Sequence, residues 1–545
     1  MRRFAAFVFA VSAAIVASLS AAASQGRSVS GVLLDSSTSQ PLAGFLVTLT
    51  PDSGGSGQTV RTSGNGQFIF PTVVAGKYIL SGSGPGYRAQ GLNQHENFFT
   101  GVAVGPELDS THIVFRMQAD ASIRGQVLDE HNEPVRNATA QLFRAEEVNG
   151  TRRAVAVTNA GTNDQGAYHF SHLSPGMYYV GIAARPWYAQ YAPQSMRGVQ
   201  QQLDSDTAAR ARQENSQLDV AYPLTFYPEG DDSSQASAII LRPGERFNAD
   251  IIMRAVPTVH LKIRSDRTAP GPGAPSIMQR VFDTLLVPVF ASQGYGYAQG
   301  IYEFGGLAPG RYAVEVPGTN EQGSGRGGWF RDIELYNDME ISAADSPAMA
   351  SVTGLITYEG SAAPRDVPYL ELRNQDTGDS WSDKVSEKGL FGLKDNEIRP
   401  GRYEAVLYGA PDWIITKIAA QNAKVEGTDV TLAPGAPARL VCTATRIHGG
   451  LKGVVLKNGE PFPGALVLLV PDQSQDKQRY RRDESDSDGT FSLLQVVPGR
   501  YVAVAIQNGW DLEWGNPEVL RPYLAKGEKI TVSPDKSSNL RLEVQ

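Results

Sequence analysis

The chain has 545 residues, of which 41% are hydrophobic and 19% charged, so it can build several cores and is neither a polyelectrolyte nor a solvated tail. A formal net charge of −8 and the lack of any Lys/Arg-rich run exclude the electrostatic footprint of a nucleic-acid partner. The 56 glycines and 33 prolines point to many turns, and a single cysteine, Cys442, excludes an internal disulfide and a Cys-based zinc site.

In chain order, Arg2 and Arg3 precede the apolar run 4–19, and Ala21-Ala22-Ala23 follow. A basic start, an apolar segment and small residues in that order read as a secretory signal over residues 1–23, cleaved after Ala23. The run approaches the roughly 17 residues a membrane span needs, so a retained anchor is the other reading. No later stretch is apolar for long enough to cross a bilayer. The mature chain is expected to be exported: periplasmic, at the cell surface or extracellular.

From residue 24 onward one layout recurs: a strand around a glycine, a Pro loop, a second strand, a turn, an aromatic strand, and a Pro-Gly-like turn into a Tyr strand. The first module, 24–117, carries Val29-Ser30-Gly31-Val32, Pro41-Leu42-Ala43-Gly44, Phe68-Ile69-Phe70 and Ala75-Gly76-Lys77-Tyr78. The second, 118–255, carries Ile123-Arg124-Gly125-Gln126-Val127, Glu133-Pro134, Tyr168-His169-Phe170 and Pro175-Gly176-Met177-Tyr178. It departs from the layout after Trp187-Tyr188. Residues 199–222 lack Gly and Pro and are rich in Gln, Ala, Arg, Asp and Glu, which predicts a helical insertion near 199–221.

The third module, 256–346, is degenerate. It lacks the opening glycine but keeps Gly300-Ile301-Tyr302-Glu303-Phe304 and Pro309-Gly310-Arg311-Tyr312. The fourth, 347–445, has Val352-Thr353-Gly354, Phe391-Gly392-Leu393 and Pro400-Gly401-Arg402-Tyr403. The fifth, 446–545, has Leu451-Lys452-Gly453-Val454, Glu460-Pro461-Phe462-Pro463-Gly464, Phe491 and Pro498-Gly499-Arg500-Tyr501. From turn glycine to tyrosine the step is 12 residues for Gly66–Tyr78, Gly166–Tyr178, Gly300–Tyr312 and Gly489–Tyr501, and 14 for Gly389–Tyr403.

Each unit has a physical reading. The turn glycine supplies a positive φ between two strands, and aromatics two apart share one face of the next strand. A half-buried antiparallel sheet needs a second sheet against it, so each copy should be a small β-sandwich with a Greek-key path. The expectation is an all-β chain, a tandem array of about five prealbumin-like sandwiches whose modules touch mainly their sequence neighbours.

These motifs resemble the carboxypeptidase regulatory-like domain, of the prealbumin (transthyretin)-like fold. The resemblance rests on the opening Gly-x-Val, the Pro loop, the D/N-x-x-G-x-F/Y turn and the L-x-P-G-x-Y turn. It covers modules one, two and five well, four moderately and three poorly. It implies a secreted bacterial repeat protein, in a superfamily grouped with carbohydrate-binding-like folds.

Catalytic patterns are absent. None of the seven histidines has a Glu three residues on, there is no H-E-x-x-H, and no G-x-S-x-G or P-loop occurs. His169 and His172 are three apart, which on a strand points them to opposite faces. Glu484-Ser485-Asp486-Ser487-Asp488-Gly489 alternates carboxylates before a glycine like a calcium loop, but Gln495 stands where a closing Glu belongs. No cofactor or metal is expected, and the protein reads as non-enzymatic.

The candidate binding residues are aromatics in loops after the Tyr strands, where sugar rings could stack beside polar side chains. They are Trp510 and Trp514 with Asn508, Asp511 and Glu513, and a second platform at Trp187 and Tyr188. Folding over the open end of a sandwich is the competing role for these rings. The function expected is a binding or cell-surface spacer protein, with polysaccharide or other cell-envelope components as partners. The alternative is an accessory, regulatory part of a secreted peptidase or other hydrolase.

Overall fold

The structure is a computed structural model. It describes residues 26–148, 150–190, 218–264, 275–296, 301–316, 329–342, 348–360, 363–364, 366–375, 377–410, 412–447, 449–472, 477–533 and 538–545. The signal-like segment 1–23 lies outside the described residues. Among those residues the strands form five two-sheet units and one additional two-stranded ladder.

The first unit sets the plan. Its opening strand Arg27–Asp35 lies between the aromatic strand Gln67–Val73, antiparallel, and the closing strand Ile113–Met117, parallel. The second sheet pairs Leu46–Pro51 with Gln58–Arg61 and with the Tyr strand Gly76–Gly84. Later units repeat the parallel closure: Ala121–Leu128 with Arg246–Asn248, Val259–Arg264 with Met339–Ser342, Ala350–Glu359 with Pro437–Arg446, and Gly449–Lys457 with Ser538–Glu543. Each sandwich is thus closed by its own first and last strands.

The repeated residues have tertiary reasons. A Cβ on Gly31, Gly354 or Gly453 would lie 2.1, 2.2 or 2.5 Å from a carbonyl oxygen of the closing strand, and one on Gly125 would lie 2.0 Å from the carbonyl of Ala249 just after it, each also against the aromatic side chain alongside. The opening glycine therefore lets three strands and a ring share one point. The third unit puts Ile263 there, buried, and still forms both sheets. Along the aromatic strand, Phe68 and Phe70 enter the core edge-to-face at 6.2 Å, while Ile69 between them is 58% exposed.

The repeat tyrosine does one job five times. The hydroxyls of Tyr78, Tyr178, Tyr312, Tyr403 and Tyr501 each donate to the carbonyl four residues back, at 2.8, 2.8, 2.5, 2.6 and 2.7 Å. A ring that large brings a polar tip into the core, and the turn carbonyl just upstream satisfies it.

Two local expectations change. Most of the segment expected to be helical, 199–221, falls outside the described residues, and its end, Val220–Ala221, is a short strand paired with Val256–Pro257. A helix occurs instead at Pro517–Leu524 in the fifth unit, with Pro517 in its first turn and the Asn516 side chain capping the Glu518 amide. It is too short for its periodicity to stand out in the sequence.

Junctions between units differ in chemistry. Phe143 and Phe226 of the second unit close over Val281 and Val287 of the third, with Phe282 edge-on to Phe143 at 5.2 Å. Arg399 of the fourth reaches Glu315 of the third at 2.5 Å and lies over Phe330. Ile414 and Ile447 meet Val497 between the fourth and fifth. The array does not remain a string, because the fifth unit also packs on the first and second.

Candidate functional site: the junction of the first and last units

The fifth unit's hairpin between the strands Arg481–Glu484 and Thr490–Val496 turns at Gly489, φ +74°. The turn projects Glu484, Asp486 and Ser487 at residues 95–104 of the first unit. Backbone and side chain interlock there. Ser487 N donates to Gly101 O and Gly101 N to Asp486 Oδ1, both at 2.9 Å, and Ala103 N donates to Ser487 Oγ at 2.9 Å. A Cβ on Gly101 would lie 2.5 Å from Asp486 Oδ1, so any larger residue there would displace that carboxylate.

Charged groups complete the clasp. Glu484, 1% exposed, accepts from the Thr100 hydroxyl at 2.5 Å and faces His95 Nδ1 at 2.9 Å. Lys77 pairs with Asp486 and donates to Thr490 Oγ1 at 2.7 Å. Arg482 grips Glu96 with both terminal nitrogens, at 3.1 and 2.9 Å. Burial pushes the Asp483 carboxyl up to about 6, against amide hydrogen bonds from Ser492 and Glu484 that favour its charge. Burial also raises Asp486, opposed by Lys77.

The calcium-like carboxylates are thus engaged by protein donors: Glu484 by Thr100, Asp486 by Lys77 and Gly101, and Asp488 by the Thr490 amide and hydroxyl. His172 faces Asp120 at 2.7 Å, and His169 sits opposite Arg124 in the sheet.

The structure gathers Asn508, Trp510, Asp511, Glu513 and Trp514 into one loop but does not present the indoles as a platform. Trp510, 9% exposed, stacks parallel on His95 at 5.1 Å and contacts Phe98 at 5.1 Å, both from the first unit. Trp514, 8% exposed, packs on Leu468, Val470, Val504 and Leu520, and the Arg482 guanidinium lies 4.5 Å from its ring centre. The neighbouring Gly515 amide donates to Gly150 O of the second unit at 2.8 Å. Arg152 of that unit donates to Asp511 O at 3.1 Å. These rings seal junctions, because a small sandwich has few other ways to bury so much apolar area against its neighbours.

Asn508 is exposed in a left-handed conformation, φ 53°, and Glu513 lies beside Glu147. Trp187 and Tyr188 stand apart from that loop. Trp187 is 87% exposed, edge-on to Tyr188 at 5.7 Å, and the Tyr188 hydroxyl donates to Glu130 at 2.5 Å.

Beside the clasp runs a cleft of about 770 Å³. Its floor is the outer face of the fifth unit's sheet, with Lys452, Thr490, Ser492 and Arg541, and its far wall carries Ile79, Phe98 and Phe99 of the first unit. In the sequence these floor residues are ordinary outward positions of alternating strands. Nothing local signals that a wall from over 350 residues away faces them.

Residues 28–115 match the carboxypeptidase regulatory-like domain family, in agreement with the resemblance read from the motifs of the first module. No curated protein matches the chain. Among solved structures, the Bacillus anthracis TIE protein aligns at 11% identity over 92% of this chain and 68% of its own, with a TM-score of 0.16. A streptococcal ancillary pilin aligns at 10% identity over 52% and 98%, TM-score 0.19. The minor pilin of Streptococcus agalactiae aligns at 12% over 43% and 97%, TM-score 0.21.

Proposed function

We propose that this is an exported, non-catalytic binding protein of the cell envelope, in which sandwich modules are the framework and the joined first and last modules form the ligand site. The observation that carries the reading is the clasp itself. Three hydrogen bonds from backbone amides, a buried carboxylate and a bidentate Arg–Glu pair hold two distant modules against one concave, mixed polar and apolar cleft. The signal-like N-terminus supports export. Among the described residues no group of three or more His, Cys, Asp or Glu is placed to hold a metal, and no helix is long and apolar enough to cross a membrane.

The test is retention of the purified chain on isolated envelope polysaccharide, run beside peptidase and glycosidase panels with and without zinc. Retention without turnover is expected. Turnover abolished by replacing His169 or His172 would overturn the non-catalytic reading, and failure to be retained would overturn the binding one.

A further inference from the structure

We infer that the cleft between the first and last units binds an acidic saccharide, holding its carboxylate or phosphate on Lys452 and Arg541. The inference rests on the binding-protein reading above and names its ligand class. Lys452 and Arg541 lie on adjacent parallel strands, Lys452 paired with Asn539 and Arg541 with Val454. Two positions apart on one face, their Cα atoms are about 8 Å from each other, and both side chains reach a shared group between them. Both are exposed, line the cleft and make no hydrogen bond or ion pair among the described residues.

Arg482, Arg399 and Arg402, by contrast, are each held by a carboxylate. Three of the four carboxylates lining the cleft are engaged: Asp483 by two backbone amides, Asp486 by Lys77 and Gly101, Asp488 by Thr490. The fourth, Asp52, stands on the first unit's wall and pairs with neither cation, which leaves Lys452 and Arg541 free to hold a ligand's anion by charge-assisted contacts of the kind that fix an oxyanion.

The rest of the cleft selects a saccharide. Ser492 and Asn539 set a hydroxyl and an amide along the floor, and Phe98 and Leu494 offer apolar surface to the C–H faces of a sugar ring. Asp52, on the first unit's wall, has no side-chain partner among the described residues and accepts a sugar hydroxyl. An extended peptide is poorly served, because the floor is a sheet face whose backbone groups are spent in the ladder, whereas strand addition needs a free edge. A volume of about 770 Å³ suits a ligand of a few sugar rings.

The experiment is calorimetric titration of the full mature chain with four probes. These are a trigalacturonate, a trisaccharide of equal length carrying one phosphate, a neutral trisaccharide, and tri-glutamate. At least one acidic saccharide should bind tenfold or more tighter than the neutral one, with affinity falling as salt rises; which of the two binds identifies the anion. Lys452→Ala with Arg541→Ala should remove at least tenfold of that affinity and leave thermal unfolding unchanged, since neither side chain has a partner to lose.

Equal binding of the neutral probe, equal binding of tri-glutamate, or an unaffected double variant overturns the inference. Trp187→Ala separates the two readings. Loss of binding there, with the double variant intact, places a saccharide at the Trp187–Tyr188 platform and refutes the cleft while the binding-protein reading stands. Absence of binding by all probes, with envelope retention preserved, likewise refutes only the cleft.

Discussion

Replacing Glu484 by alanine should open the junction of the first and last units while leaving both sandwiches folded. The carboxylate is almost fully buried and receives the Thr100 hydroxyl at 2.5 Å and His95 at 2.9 Å. Truncation leaves the buried Thr100 hydroxyl without its acceptor, a penalty of about 1–3 kcal/mol. His95 is 40% exposed at its side chain, so its ring nitrogen can be hydrated at little cost while the ring keeps its stack on Trp510. Adding the void left by the side chain, the junction should lose about 2–4 kcal/mol, near the lower end of what removing one partner of a buried pair costs.

Hydrogen exchange reads this directly. The Gly101, Ala103 and Ser487 amides donate across the junction, and their protection reports its opening rather than global unfolding. They should exchange about 30- to 1,000-fold faster in the variant, with tenfold per 1.4 kcal/mol. Amides of the Tyr strand in the second unit should not change. Glu484→Gln, which keeps an acceptor for Thr100, should recover much of the protection. Unchanged exchange at those three amides would refute the clasp and return the array to a string of modules joined only in sequence order.

Further outcomes follow from single side chains. Tyr501→Phe removes the hydrogen bond to Val497 and should cost about 1 kcal/mol. Tyr501→Ala should cost about 3–5 kcal/mol in urea unfolding of the fifth unit, and equal losses would refute a packing-dominated role. Because burial raises Asp483 to about 6 from an ordinary 3.8, the folded state binds the proton more tightly than the unfolded one. Stability should therefore rise as pH falls from above 6 toward 4, by at most about 3 kcal/mol. Asp483→Asn should flatten that slope in thermal melts, and a slope surviving the substitution would refute the assignment. Burial pushes the Cys442 thiol up to about 12, so the native chain should resist thiol reagents at pH 8 and react once per chain when unfolded. Native-state labelling at the rate of a free thiol would contradict its buried position.

The sandwich plan was legible in the sequence because its determinants are local or periodic. Turn glycines at a constant step from a tyrosine, aromatics at a period of two and a Pro-Gly turn act within a dozen residues, whatever the rest of the chain does. The tyrosines were visible as repeat positions, but their shared bond to the carbonyl four residues back was not. The opening glycine was visible too, though its reason is a carbonyl of a closing strand roughly 80 to 120 residues later. Tertiary structure alone decided which surfaces meet. Trp510 sits in a loop of aromatics and carboxylates that reads as a sugar platform, yet its face is taken by His95, over 400 residues away in sequence. Glu484 and Asp486 look like a metal loop until Thr100, Gly101 and Lys77 occupy their lone pairs. A pattern along the chain shows which side chains leave a sheet, since that depends on alternation. What they then touch depends on how rigid sandwiches dock, and docking is decided by the shape and charge of whole surfaces.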